Sequence, residues 1–141
     1  MIILSVDYGD ARTGIAVCDR TELLASPVTV ISETDRDTLL KKIADLALER
    51  RAELIVVGLP VNMDGTHGSR AQACEDFAQA LTEFCSIPTV MRDERLTTVS
   101  AHNVLNATNT RGKKRKAVVD AVSAVMILQD YIDYRRLNGL S

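Results

Sequence analysis

Tryptophan is absent from this 141-residue chain, and three tyrosines and two phenylalanines are its only aromatics. That scarcity excludes a stacking platform for single-stranded bases. The three cysteines, Cys18, Cys74 and Cys85, form an odd set with no C-x-x-C pair. A disulfide framework is excluded, and reduced core thiols are expected. The two histidines, His67 and His102, match no zinc-ligand spacing and are read as non-ligands. No G-K-[ST] occurs, and Gly58, Gly65 and Gly68 fit neither a P-loop nor a dinucleotide fingerprint. No apolar run is long enough to span a bilayer and no export signal opens the chain, so a cytoplasmic protein without a membrane partner is expected. There is no internal repeat and no Pro-, Gly- or Ser-rich linker. The length suits one domain over 1–141.

Seventeen basic residues face nineteen acidic ones, a net charge of −2 that argues against nucleic acid as a partner when taken as a sum. The distribution matters more. Of five lysines, three fall within Lys113–Lys116, flanked and interleaved by Arg111 and Arg115. Such a patch sets where phosphates dock, or it is simply the solvated face of a loop.

Periodicity supplies the elements. Ile2–Val6 reads as a buried strand closing at the turn formers Gly9 and Asp10, and Thr13–Cys18 as its hairpin partner. Leu23–Ile31 is a third strand, placed at or near an edge by Pro27. Thr34 is a cap candidate for a helix carrying Asp37 in its first turn and lined by Leu39, Leu40, Ile43, Leu46 and Ala47. Leu54–Val57 is a short strand. Asn62-Met63-Asp64-Gly65 makes a tight turn. Ser69 with Gln72 suggests a capping box for a helix lined by Ala73, Phe77, Ala80, Leu81 and Phe84, and Arg70 adds positive charge there. A strand at Ile87–Met91, a helix over Thr97–Ala107, a polar loop at Asn109–Lys116 and a last helix over Ala117–Arg135 complete the chain. The expected class is α/β, a mixed sheet with helices packed on it.

Three acids lie at the ends of apolar segments: Asp7, Glu94 and Asp120, the last at the edge of the final helix's stripe beside Ala124 and Tyr131. Each has an ordinary reading, as a turn residue, half of an ion pair in Arg92-Asp93-Glu94-Arg95, and a helix cap. Together they point elsewhere. Converging carboxylates repel unless cations stand between them, and hard oxygen ligands suit a divalent metal. Two such ions about 4 Å apart would support phosphodiester hydrolysis.

Four blocks carry a resemblance: D-Y-G-D-A-R-T-G-I-A-V at 7–17, V-V-G-L-P-V-N-M-D-G-T-H-G at 56–68, D-E-R-L-T-T at 93–98 and V-D-A-V-S-A-V-M-I-L-Q at 119–129. In this order and spacing they resemble the YqgF family of the RNase H-like superfamily. The resemblance implies a five-stranded mixed sheet of order 3-2-1-4-5 flanked by helices. It implies that Asp7, Glu94 and Asp120 are catalytic, metal-binding acids holding Mg²⁺, with Mn²⁺ as an alternative. It further implies a hydrolase, a cytoplasmic nuclease that matures the 5′ end of the 16S rRNA precursor, with ribosomal particles among its partners.

Arg111, Lys113, Lys114, Arg115 and Lys116 are the expected nucleic-acid contacts. Two alternatives stand beside the RNA reading: a resolvase of branched DNA, and a nucleic-acid-binding module without catalysis. An actin-like nucleotide-binding fold needs a second lobe that 141 residues do not supply. The residues leave monomer against homodimer open, since symmetric junction cleavage requires a two-fold pair and RNA trimming does not.

Overall fold

The computed structural model describes residues 1–94 and 112–140, with residues 112–121 described in backbone only. The expected helix over Thr97–Ala107, and Arg111, lie outside the described residues. Strands β1 (Ile3–Asp7), β2 (Arg12–Cys18) and β3 (Ala25–Ser32) come first, then helix α1 (Arg36–Glu49), strand β4 (Leu54–Leu59), helix α2 (Ser69–Phe84), strand β5 (Thr89–Asp93) and helix α3 (Gly112–Leu137). They build one sheet of order β3-β2-β1-β4-β5. Strand β1 is central, antiparallel to β2 and parallel to β4. This is the mixed sheet and strand order expected.

Both faces of β1 are covered, which is why Ile3, Leu4, Ser5 and Val6 are all fully buried. The pleat then sorts side chains by parity. Leu4, Val6, Ile55 and Val57 pack with Leu39, Ile43, Phe77 and Leu81 of α1 and α2. Ile3, Leu54 and Val56 pack with Ala124, Ile127, Leu128 and Ile132 of α3. Helix α3 runs opposite to β1. Ala124 accepts a 2.7 Å bond from Ser5. Further along, Gln129 accepts from the Ala25 amide at 2.9 Å, and Arg135 reaches Glu22, itself bonded to the Met1 nitrogen. Among the described residues, no helix is long and apolar enough to cross a membrane.

Strand β3 is an edge strand, and Pro27 sits at a bulge: Ile15 pairs with Thr29 but Ala16 with Pro27, leaving Val28 as the extra residue. Several expectations are corrected. The α1 cap is Asp35, whose extended backbone lets its carboxylate accept from the Thr38 amide at 2.9 Å; Thr34 lies one residue too early. Ser69 is the first residue inside α2, so Gly68 holds the cap position; Gln72 donates to Asp76, and no capping box forms. Phe84, at the helix end, is exposed, and Ala71, Cys74 and Ala78 fill the buried stripe. Strand β5 begins at Thr89, not Ile87, because Pro88 has no N–H; its carbonyl still accepts from Ile55 at 2.9 Å. Helix α3 begins at Gly112, which moves Lys113–Lys116 from the expected loop into the helix, where Lys and Arg are favourable residues.

Candidate active site

The site forms where three parity series end on the α3 face of the sheet. On β1 the series is Ile3, Ser5, Asp7; on β4 it is Leu54, Val56, Gly58; after β5 it reaches Glu94 through Val90 and Arg92. Asp7 and Glu94 therefore flank β4 from either side, across roughly twice the 4.8 Å strand spacing. Their side chains nevertheless share a hydrogen bond. Gly58 makes this reach feasible. It is buried, and a Cβ there would lie 2.9 Å from both the Cδ and the Oε1 of Glu94 and 2.6 Å from the Cδ1 of Ile127. The carboxyl of Glu94 occupies the space a side chain on β4 would fill.

Burial raises the proton affinity of Glu94, and nearby Asp93 adds to the rise; the bond with Asp7 and the positive field of Arg70 oppose it. Cys74, buried in α2, senses the same group of charges. Its thiol is pushed up to about 11 by burial, with Arg70 opposing and Glu94, Asp7 and Asp10 reinforcing the shift.

The connection after Asp7 is held tightly. The Gly9 amide donates to the Thr13 hydroxyl at 3.3 Å, the Tyr8 ring stacks on Phe77 at 4.2 Å, and Arg70 donates to the Tyr8 carbonyl. Arg92 bonds Asp130 at 2.5 Å and lies over the Tyr134 ring. The expected turn at Asn62–Gly65 is present: the Gly65 amide donates to the Asn62 carbonyl at 2.8 Å, with Gly65 at φ +88°. His67 faces Glu75 at 2.5 Å.

Of the expected acids, the structure brings Asp7 and Glu94 together. Asp120 lies in α3, one turn before Ala124, and Ala124 sits over Ser5, two residues before Asp7. Because α3 runs opposite to β1, both steps lead toward the same end of the sheet; the Asp120 side chain is outside the described residues, as are those of Lys113, Lys114, Arg115 and Lys116. Among the described residues, no three His, Cys, Asp or Glu side chains form a metal-binding group. The two acids present do fit a hard cation, being hydrogen-bonded oxygen donors drawn together at a half-buried position. Sequence reasoning passed over Gly58, whose signal lay in its register opposite Arg92 and not in any glycine spacing.

The strand order and flanking helices are those of the RNase H-like fold. The chain matches RuvC of Thermus thermophilus, solved in complex with a Holliday junction substrate, at a TM-score of 0.63 and 12% identity over 98% of this chain and 96% of that one. Fowlpox virus resolvase, solved with substrate Holliday junction DNA, matches at 0.60 and 11%, over 95% and 98% of the two chains. At such identities the likeness defines the fold alone. The sequence is more specific: residues 1–134 match the family model described as RuvX: Holliday junction resolvase, and the chain belongs to that family, the one named YqgF above. A relative in Chloroflexus aurantiacus is 40% identical over 137 residues, covering 97% of this chain and 90% of that protein. One in Halothermothrix orenii is 40% identical over 140 residues, covering 99% and 100%. Both bear the name "Putative pre-16S rRNA nuclease".

Proposed function

We propose that this protein is a metal-dependent endonuclease of structured nucleic acid that processes the 5′ end of the 16S rRNA precursor. The observation that carries the reading is the half-buried Asp7–Glu94 pair, two carboxyls brought together over a glycine at the end of the sheet. Such a pair is costly for folding alone, since two carboxyls drawn together repel unless a proton or a cation stands between them. Relatives that match nearly end to end at 40% identity supply the substrate class through their name.

Asp7, Glu94 and Asp120 would hold Mg²⁺ or Mn²⁺, which when bound activates water and stabilises the departing oxygen of a phosphodiester. The chain's own contribution is alignment. Strand ends move less than loops, so Asp7 and Glu94 offer a rigid base for the reacting phosphate. The Tyr8–Phe77 stack and the Thr13 bond keep the turn after Asp7 from drifting. Lys113, Lys114, Arg115 and Lys116, on the first turns of α3, and Arg111 before it would bind flanking phosphates.

A second reading, resolution of four-way DNA junctions, is favoured by the description of the matching family model. It would require a two-fold pair of chains. The test is side-by-side cleavage in Mg²⁺ of a leader-bearing 16S precursor RNA and a synthetic four-way junction, by wild type and Asp7→Asn. Cleavage of one substrate, lost in the variant, selects between the readings. Undiminished cleavage by Asp7→Asn removes the assignment of that acid. Binding without cleavage of either substrate makes the protein a nucleic-acid-binding module.

A further inference from the structure

Among the described residues, Arg70, in the first turn of α2, makes three contacts of unequal strength. Its Nη2 donates to the Tyr8 carbonyl, and its guanidinium lies over the Tyr8 ring, 5.4 Å from the centroid. These two contacts fix the group beside the residue that follows Asp7. The third is loose: Nη1 stands 3.4 Å from Oδ1 of Asp10, whose side chain is 90% exposed, while that of Arg70 is 41% exposed.

A guanidinium is shaped for two-oxygen anions, carboxylate or phosphate alike. Here it is anchored through one nitrogen, and among the described residues its other nitrogen is held by a long contact to an exposed carboxylate. Exposed ion pairs of this kind contribute little, so a competing anion displaces Asp10 at small cost. The anchored half means that little side-chain freedom remains to be lost on binding. The positive field of Arg70 is also felt at Glu94, which places the guanidinium within electrostatic range of the acid pair.

Building on the nuclease reading above, we propose that Arg70 grips a backbone phosphate of the cleaved strand, and that Asp10 occupies its outer nitrogen until substrate displaces it. The arrangement would supply one cation close to the acids, separate from the basic turns of α3. It would also let the empty site discriminate against weakly bound anions, since each must first displace Asp10.

The experiment measures binding of a fluorescein-labelled stem-and-leader fragment of the 16S precursor, and of a four-way DNA junction, by anisotropy across a KCl series. Ca²⁺ replaces Mg²⁺ to suppress cleavage. Loss of one phosphate contact should lower the magnitude of the log K against log [KCl] slope by about 0.7–0.9 in Arg70→Ala. Asp10→Asn should tighten binding, up to about fivefold. That gain should vanish when Arg70 is already alanine, whereas a general charge effect would persist in the double variant. Should Arg70→Ala fold poorly, Asp10→Asn still decides by itself, since binding by that variant no tighter than wild type would overturn the assignment. An unchanged slope in folded Arg70→Ala, or an Asp10→Asn gain that survives without Arg70, would overturn this assignment while leaving the nuclease reading intact. If wild type binds neither probe, both fall together.

Discussion

Replacing Gly58 by alanine tests whether the acid pair depends on an empty position in β4. The new Cβ would lie 2.6 Å from the Cδ1 of Ile127 and 2.9 Å from the Glu94 carboxyl. Carbon contacts settle near 3.5–4.0 Å, so the Ile127 methyl must retreat by about 1 Å and the carboxyl by more than half that. Ile127 has a flexible end but is only 1% exposed in a filled core. The overpacking should cost about 1–3 kcal/mol, read as a Tm lower by several degrees. Glu94 has less freedom, because moving it stretches its bond to Asp7. Misplacement near 1 Å costs about a hundredfold in rate, so cleavage in saturating Mg²⁺ should fall by about ten- to a hundredfold. The two strains are separable. Ile127→Val removes the methyl that clashes, so Gly58→Ala/Ile127→Val should regain stability relative to Gly58→Ala without regaining rate. A Gly58→Ala protein that cuts at the wild-type rate, with an unaltered Mg²⁺ midpoint, would refute the reasoning.

Other consequences follow from groups away from the acids. Glu22 and Arg135 bond at 2.7 Å with side chains 5% and 10% exposed. Burial pushes the Glu22 carboxyl up, but its bonds to Arg135 and the Met1 nitrogen outweigh this and hold it below the usual carboxylate range. Its contribution is therefore complete above the unfolded carboxylate pKa of about 4.3 and lost as pH falls through the lower folded value. Glu22→Gln should cost about 3–5 kcal/mol at pH 7 by leaving the buried Arg135 charge without its carboxylate, although its Nη2 keeps the Leu140 carbonyl at 2.9 Å, with the difference from wild type shrinking in acid denaturation curves. An equal loss at pH 7 and below pH 3 would contradict this. Cys74, with its thiol near 11, should resist alkylation: at pH 8 its thiolate fraction is roughly a hundredfold below that of a free thiol. Peptide mass spectrometry after iodoacetamide should find half-buried Cys85 labelled before Cys74, and the reverse order would show that Cys74 is accessible and ionised.

The fold was legible wherever periodicity was strong. The β1–β2 hairpin, the edge strand and the buried stripe of α1 follow from alternation, Pro27 and the spacing of Leu39, Leu40 and Ile43. The misses are local. Thr34 and Asp35 are both good caps, and only the backbone angles choose between them. The start of β5 depends on which residue first meets a partner, and Pro88 decides that through its missing donor. Helix α3 extends five residues before Ala117 because a run of Lys and Arg is polar enough to resemble a loop yet favourable within a helix. Glu22 carries no sequence signal at all. It is a charged residue at φ +53° that becomes buried only when α3 brings Arg135 beneath the β2–β3 turn.

The candidate site divides along the same line. Acids at the ends of apolar segments can be found in a sequence because their chemistry is written in their type. The device that lets two of them meet is written in the absence of a side chain on the strand that lies between them. Asp7 and Glu94 stand on opposite sides of β4, and any larger residue at position 58 would enter the space between Glu94 and Ile127. That requirement arises only from the parallel register, with Gly58 paired to Arg92 on β5 and Val57 to Val6 on β1. A register slip of one residue would turn Val57 or Leu59 toward α3 and close the gap. The sheet's register and the candidate acid site are therefore one constraint: the pairing that buries Val56 under α3 is also the pairing that leaves Glu94 its path to Asp7.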